Sequence, residues 1–225
     1  TTIATVSSGG LVTAIATSGT DTITATSGSA SGTAVITITQ PASSVTLSPS
    51  TKTLVSIGDT VTVAATVKDA GGTAISGATV TWASSDTTIA TVSSAGLVTA
   101  VANGTDTITA TSGSASGTAV ITITQVASSV TLSPSSHTFS EWSDTVRLAA
   151  TVKDAGGTTM SGATVSWASS DTTIATVSSS GLVTAVANGT DTVTATSGSA
   201  SGTAEISVNQ VGPRVTSVSP TNFTE

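Results

Sequence analysis

The chain has 225 residues, no cysteine, 8% charged residues and a formal net charge of −7, with only Lys52, Lys68, Arg147, Lys153 and Arg214 opposing its carboxylates. That balance leaves no thiolate for a disulfide or metal, no basic stripe to neutralise phosphates, and too few charges for a solvated disordered chain. The apolar residues, 37% of the total, sit among Ser, Thr and Gly, and no apolar run approaches the roughly 18 residues that span a bilayer, so nucleic acid and membrane insertion of this stretch are excluded as expectations. Thr, Val and Ile lose χ1 freedom in helices and pack well on pleated sheets, which makes the fold class all-β.

Taken from its first residue, the chain repeats itself. TTIATVSS opens at Thr1, Thr87 and Thr172, each time followed by GLVTA, and Gln40, Gln125 and Gln210 close three copies at an interval of 85 residues. Residues 1–40 match the second half of this period, and so small a piece buries too little to stand alone, which places its other half upstream. Residues 41–125 and 126–210 are complete periods. Residues 211–225 contain VTSVSP, similar to SVTLSP at Ser44 to Pro49, and read as a linker and the first strand of a following module.

Within the first complete period, turn signals separate short β-rich runs at the spacing of a sandwich. Strands are predicted near Val45–Leu47, Lys52–Val55, Thr60–Lys68, Thr79–Ala83, Ile89–Val92, Leu97–Val101, Asp106–Thr111 and Gly117–Thr124. Comparing the two copies assigns the faces, because a charge is tolerated only where a side chain meets water. Thr62 becomes Arg147 and Val120 becomes Glu205, while the alternating positions stay apolar: Val61 and Val63 become Val146 and Leu148, and Ile121 and Ile123 become Ile206 and Val208. These eight residues are the predicted core positions. Trp82 and Trp167 occupy equivalent places and are expected as core anchors at the middle of each interior.

At these residues the chain resembles the bacterial immunoglobulin-like domain, group 2, a module of intimin- and invasin-like adhesins, other surface proteins and some phage structural proteins. The segments that carry the resemblance are SVTLSP, VSIGDTVTVAATVKDAGG, ATVTWASSD with Trp82, IATVSSAGLVTAVANGTDTITATSG and the closing AVITIT. The resemblance implies tandem Greek-key β-sandwiches outside the cell, without a catalytic site, cofactor or ligand of their own. The second complete period departs where Ile57-Gly58 becomes Trp142-Ser143 and Leu54 becomes Phe139, and Trp142 is a candidate for contact with the preceding domain.

The remaining chemistry is sparse. His137 is the one imidazole, at the position of Lys52, and reads as an exposed strand residue, so no triad is expected. Aspartates are read as single turn residues. Asp69 and Asp154, in KDAGG, are weak candidates for calcium, which takes oxygen ligands, although turn chemistry already explains Asp before Gly-Gly. Asn103 and Asn188, each before Gly and Thr, fit both a glycosylation acceptor and a type I′ turn, with the turn preferred; Asn222 also fits the acceptor pattern.

The leading expectation is therefore an extracellular, cell-surface spacer or stalk in contact with neighbouring repeats, modules about 35 to 45 Å long at about 3.3 Å per strand residue. Host or cell-wall glycan or protein would be engaged through other domains. The alternatives are a glycan or cell-wall binding module using loops or Thr-rich sheet faces, and a phage virion decoration or filament-forming subunit.

Overall fold

The computed structural model describes residues 3–16 and 18–211. All regular structure among them is β. The half period contributes β1 (Ala4–Val6), β2 (Val12–Ala14), β3 (Gly19–Ser27) and β4 (Ala30–Ile38). The first complete period contributes β5 (Ser44–Ser48), β6 (Thr51–Leu54), β7 (Thr60–Thr62), β8 (Ala64–Lys68), β9 (Thr81–Ser84), β10 (Ala90–Val92), β11 (Leu97–Ala100), β12 (Gly104–Ser112) and β13 (Ala115–Ile123). The second repeats the order as β14 (Ser129–Ser133), β15 (Ser136–Phe139), β16 (Thr145–Arg147), β17 (Ala149–Lys153), β18 (Ser166–Ser169), β19 (Ala175–Val177), β20 (Leu182–Ala185), β21 (Gly189–Ser197) and β22 (Ala200–Val208). The segment 211–225, expected to begin another module, lies outside the described residues from 212 on.

In the first complete period one sheet runs β6-β13-β12-β9, with β6 parallel to β13; the opposing strands form β10-β11-β7 and the antiparallel pair β5-β8. The second complete period pairs its strands identically, as β15-β22-β21-β18, β16-β20-β19 and β14-β17. Thr60–Lys68, read as one strand, is two. It breaks at Val63, whose N–H donates to Gly96 O at 2.9 Å, and the chain crosses there from pairing with β11 to pairing with β5.

Period-two alternation explains the long hairpin. On β12, Asp106, Ile108, Ala110 and Ser112 face inward while Thr105, Thr107, Thr109 and Thr111 line the other face; on β13, Ala119, Ile121 and Ile123 are buried. Val63, Ile121 and Ile123, and their counterparts Leu148, Ile206 and Val208, are nearly inaccessible. Val61 and Val146 are half-buried, and Thr62, Arg147, Val120 and Glu205 are exposed. The guanidinium of Arg147 donates to Ser180 O at 2.9 Å.

The described residues divide into two compact units, one within Thr1–Leu54 and Gly58–Ile123 and the other within Val55–Ile57 and Thr124–Glu225. In the first unit, β3 and β4 keep the register of β12 and β13, Gly19 opposite Ile38 through Ser27 opposite Ala30. Their inward residues Ile23 and Ile36 are less buried than Ile108 and Ile121, which β5 to β9 help to cover.

Ser143 replaces Gly58 with its backbone nearly unchanged: φ is +62° at Ser143 and +87° at Gly58. A side chain in this left-handed region costs about 1 to 2 kcal/mol, part of which glycine gives back in unfolded-state entropy. Ser143→Gly is therefore expected to stabilise the second complete period by about 0.5 to 1 kcal/mol, measured as a higher urea midpoint at unchanged slope.

Candidate functional site

Three side-chain clusters recur in each complete period. The first is an aspartate in a strand. Asp106 and Asp191 are not turn residues; they open the inward face of β12 and β21 and are buried. Asp106 Oδ1 accepts from Ser85 Oγ at 2.5 Å and from Asp86 N–H at 3.0 Å, and Oδ2 lies 2.7 Å from Ser84 Oγ. Asp191 Oδ1 accepts from Ser170 Oγ at 2.6 Å and Asp171 N–H at 2.9 Å. The hydroxyls and amides converge on a carboxylate inside the fold, so the network ties the β9–β10 and β18–β19 turns to the long hairpins.

Asp86 and Asp171 fold back on the same turns, each accepting from the threonine two residues on, Thr88 or Thr173, through its hydroxyl at 2.6 Å and N–H at 2.9 Å. These hydroxyl and then backbone bonds hold both carboxyls below the usual carboxylate range. The recurrence of SSD and DT twenty residues apart was visible in the sequence, but spacing alone does not tell that one of the two aspartates points inward.

The second cluster contains the residues weighed for calcium. Asp69 accepts from Gln40 Nε2 at 2.6 Å and Thr73 N–H at 2.8 Å. Asp154 accepts from Gln125 Nε2 at 2.8 Å, Ile57 N–H at 3.0 Å and Thr158 N–H at 2.8 Å. Both carboxylates thus accept from N–H donors on each oxygen, and no group of three or more His, Asp or Glu able to hold a metal occurs among the described residues.

Trp82 and Trp167 head the third. They are half-buried rather than enclosed at the middle of the interior, on the outermost strands β9 and β18 of the four-stranded sheets, and Trp167 packs against the buried core of its period. Each ring instead closes one edge of the core, its six-membered side lying on Gly96 or Gly181. A Cβ at Gly181 would come within 2.7 Å of Trp167 Cζ2 and 2.6 Å of Leu148 O, and φ there is +77°. Full burial goes to aliphatic residues and, in the second complete period, to Phe139. His137 is not exposed as expected: it is half-buried on β15, edge-on to Phe139 with ring centroids 4.6 Å apart. Trp142 is 69% exposed.

Asn103 and Asn188 do not make type I′ hairpin turns. Such a turn needs both central residues at positive φ between paired strands, whereas here only the glycines have positive φ and the chain passes from β11 or β20 into a different sheet. Gly104 has φ of +149°, and a Cβ there would lie 2.8 Å from Ile89 Cδ1 and 3.2 and 3.3 Å from its Cγ1 and Cγ2. The Asn188 amide clasps the Gln210 backbone, donating to its carbonyl at 3.1 Å and accepting from its N–H at 2.8 Å.

The outward face of the four-stranded sheet of the first complete period carries a hydroxyl row, Thr53-Thr122-Thr105, and two residues along each strand a second row, Thr51-Val120-Thr107, that Val120 interrupts. Thr118-Thr109 and Ser116-Thr111 continue the array along the β12–β13 hairpin.

The sequence profile described as Bacterial Ig-like domain (group 2) matches residues 41–123 and 126–208. The chain is 34% identical over 180 residues to Ice-binding protein 1 of Shewanella frigidimarina (strain NCIMB 400), an alignment covering 80% of this chain and 20% of that protein. It therefore spans about one fifth of that relative's length. Among solved structures it is similar to invasin, a bacterial integrin-binding protein, at TM-score 0.43 and 17% identity over 89% of this chain and 47% of that one. It is also similar to the Escherichia coli adhesin FdeC at TM-score 0.41 and 19% identity, covering 88% and 76%, and to domains 1–6 of surface-layer protein SbsC at TM-score 0.38 and 18% identity, covering 93% and 37%.

Proposed function

Because the chain belongs to the bacterial Ig-like domain (group 2) family, we propose that it is a spacer in an extracellular surface protein, whose two complete periods, 41–125 and 126–210, are separate mechanical modules. The observation that carries this is the duplication of one strand order and one set of buried positions in each period, down to the paired Trp–Gly and Asp–Ser clusters. A surface array needs modules that resist pulling one at a time, and periods whose strands pair only within the same period favour unfolding one at a time. Such a spacer places binding to host or cell-wall glycan or protein in other domains of the parent protein.

Single-molecule stretching of the chain tests this. Each period of 85 residues holds about 300 Å of extended chain at about 3.6 Å per residue, so two equal length steps slightly below that value are expected. A single step of about twice the size would show one mechanical unit and remove the spacer reading.

The hydroxyl rows favour a second reading, a binding module for a periodic, uncharged surface such as a cell-wall polymer. The relative named for ice binding makes ice the next surface to try. Saturable binding to either, lost on Thr109→Lys, would favour this reading over the spacer.

A further inference from the structure

The glutamine that ends each period is fastened to the aspartate 29 residues on: Gln40 to Asp69 and Gln125 to Asp154. Around the second pair, in the unit formed by Val55–Ile57 with Thr124–Glu225, the linker is bonded on both sides of the carboxylate. Val126 N–H donates to Val55 O at 3.0 Å, and Ser128 N–H to Lys153 O at 2.8 Å. Asp154 is 2% exposed, and Gly156 lets Ile57 come close, since a Cβ there would be 3.0 Å from Ile57 O. The earlier linker shares the bond on the strand side, with Ser43 N–H on Lys68 O at 2.8 Å. Gln210, third in the series, keeps its side-chain amide buried with no hydrogen-bond partner among the described residues.

We propose that each Gln–Asp pair is an acid-released latch, holding the linker that leaves one period on the KDAGG turn of the next while the aspartate is ionised and freeing it on protonation. The groups that meet the Asp154 carboxylate are the side-chain amide of Gln125, the N–H groups of Ile57 and Thr158, and Gly156; none titrates, and the adjacent Lys153 is exposed. Every polar partner is a donor, so an ionised carboxylate satisfies them and a protonated one sets its own O–H against them. The Gln125 bond, then those from Ile57 and Thr158, hold the carboxyl below the usual range despite burial, and Gln40 followed by Thr73 does the same for Asp69. The folded-state carboxyl is the stronger acid. Its stabilising effect is therefore complete above the unfolded value of about 3.9 and is lost as pH falls below it. The latch operates whether the array spaces or binds.

Amide hydrogen exchange on the full chain, expressed as protection factors between pH 7 and 3, reads the linker directly at Val126 and Ser128, with the Ile121 and Ile206 amides as internal controls. The wild-type chain is expected to lose linker protection progressively below about pH 4, by several-fold and at most about tenfold at pH 3, while the control amides hold. Asp154→Asn, whose single side-chain oxygen cannot replace both carboxylate oxygens and so sets its NH2 against either Gln125 and Ile57 or Thr158, is expected to lower that protection at every pH and to remove its dependence on acid. Gln125→Glu is expected to invert the profile: two carboxylates repel at pH 7, then share a proton and restore protection on acidification. The proposal is overturned if Gln125→Glu keeps the wild-type profile, or if Asp154→Asn folds with full linker protection; should Asp154→Asn not fold, the Gln125→Glu profile decides alone.

Discussion

Alanine at Gly181 lowers the stability of the second complete period by about 2 to 5 kcal/mol, the sum of left-handed backbone strain and of overpacking against atoms that cannot move aside. The obstructing atoms are a strand carbonyl, Leu148 O, and the Trp167 ring, and Leu148 N–H also donates to Gly181 O at 2.9 Å, so retreat of either backbone breaks a hydrogen bond. Gly157 supplies the control. Its φ of +82° is as unsuited to alanine, but no atom lies within 4 Å of where its Cβ would be, so Gly157→Ala carries only the strain of about 1 to 2 kcal/mol. Urea denaturation of the two variants separates the terms, and equal losses would mean that the indole does not press on the glycine. Against a domain stability of about 5 to 15 kcal/mol, the larger loss leaves a marginal module.

Phe139→Ala is the second large effect, about 3 to 5 kcal/mol for an aromatic side chain removed from a closed interior. Phe139 is 0% exposed and pairs with Val208 in the parallel β15–β22 ladder, while its ring supports the edge of His137. Phe139→Leu restores the residue type at the equivalent Leu54, also buried, and should cost less than about 1.5 kcal/mol. A thermal midpoint for Phe139→Leu as low as that for Phe139→Ala would show that the site is not filled as described.

Much of this fold is legible before coordinates because the chain contains its own comparison. Arg147 opposite Thr62 and Glu205 opposite Val120 mark water-facing positions, and the all-β sandwich of the family follows from alternation on the intervening residues. What is not legible depends on contacts between strands distant in sequence. The break at Val63 arises where Gly96 meets that carbonyl, and no local propensity marks it. Trp82 lies on the outermost strand of its sheet and against Gly96, a placement set by strand order and by a glycine 14 residues on. Asp106 looks like one more polar residue in a Thr-rich strand until Ser84, Ser85 and Asp86 close over it. The Asn-Gly pairs carry a hairpin signal, but the strands they join belong to different sheets, and the glycine serves the approach of Ile89 or Ile174 instead.

The central claim is that each complete period closes around an interior of its own, and hydrogen exchange on the chain carrying Phe139→Ala tests it most directly. Faster exchange is predicted from Thr124 onward and at Val55–Ile57, the residues of the second compact unit, with the amides of Thr60–Ile123 as slow as in the unaltered chain. Equal loss of protection in β12 and β13 would mean one shared interior and would contradict the account.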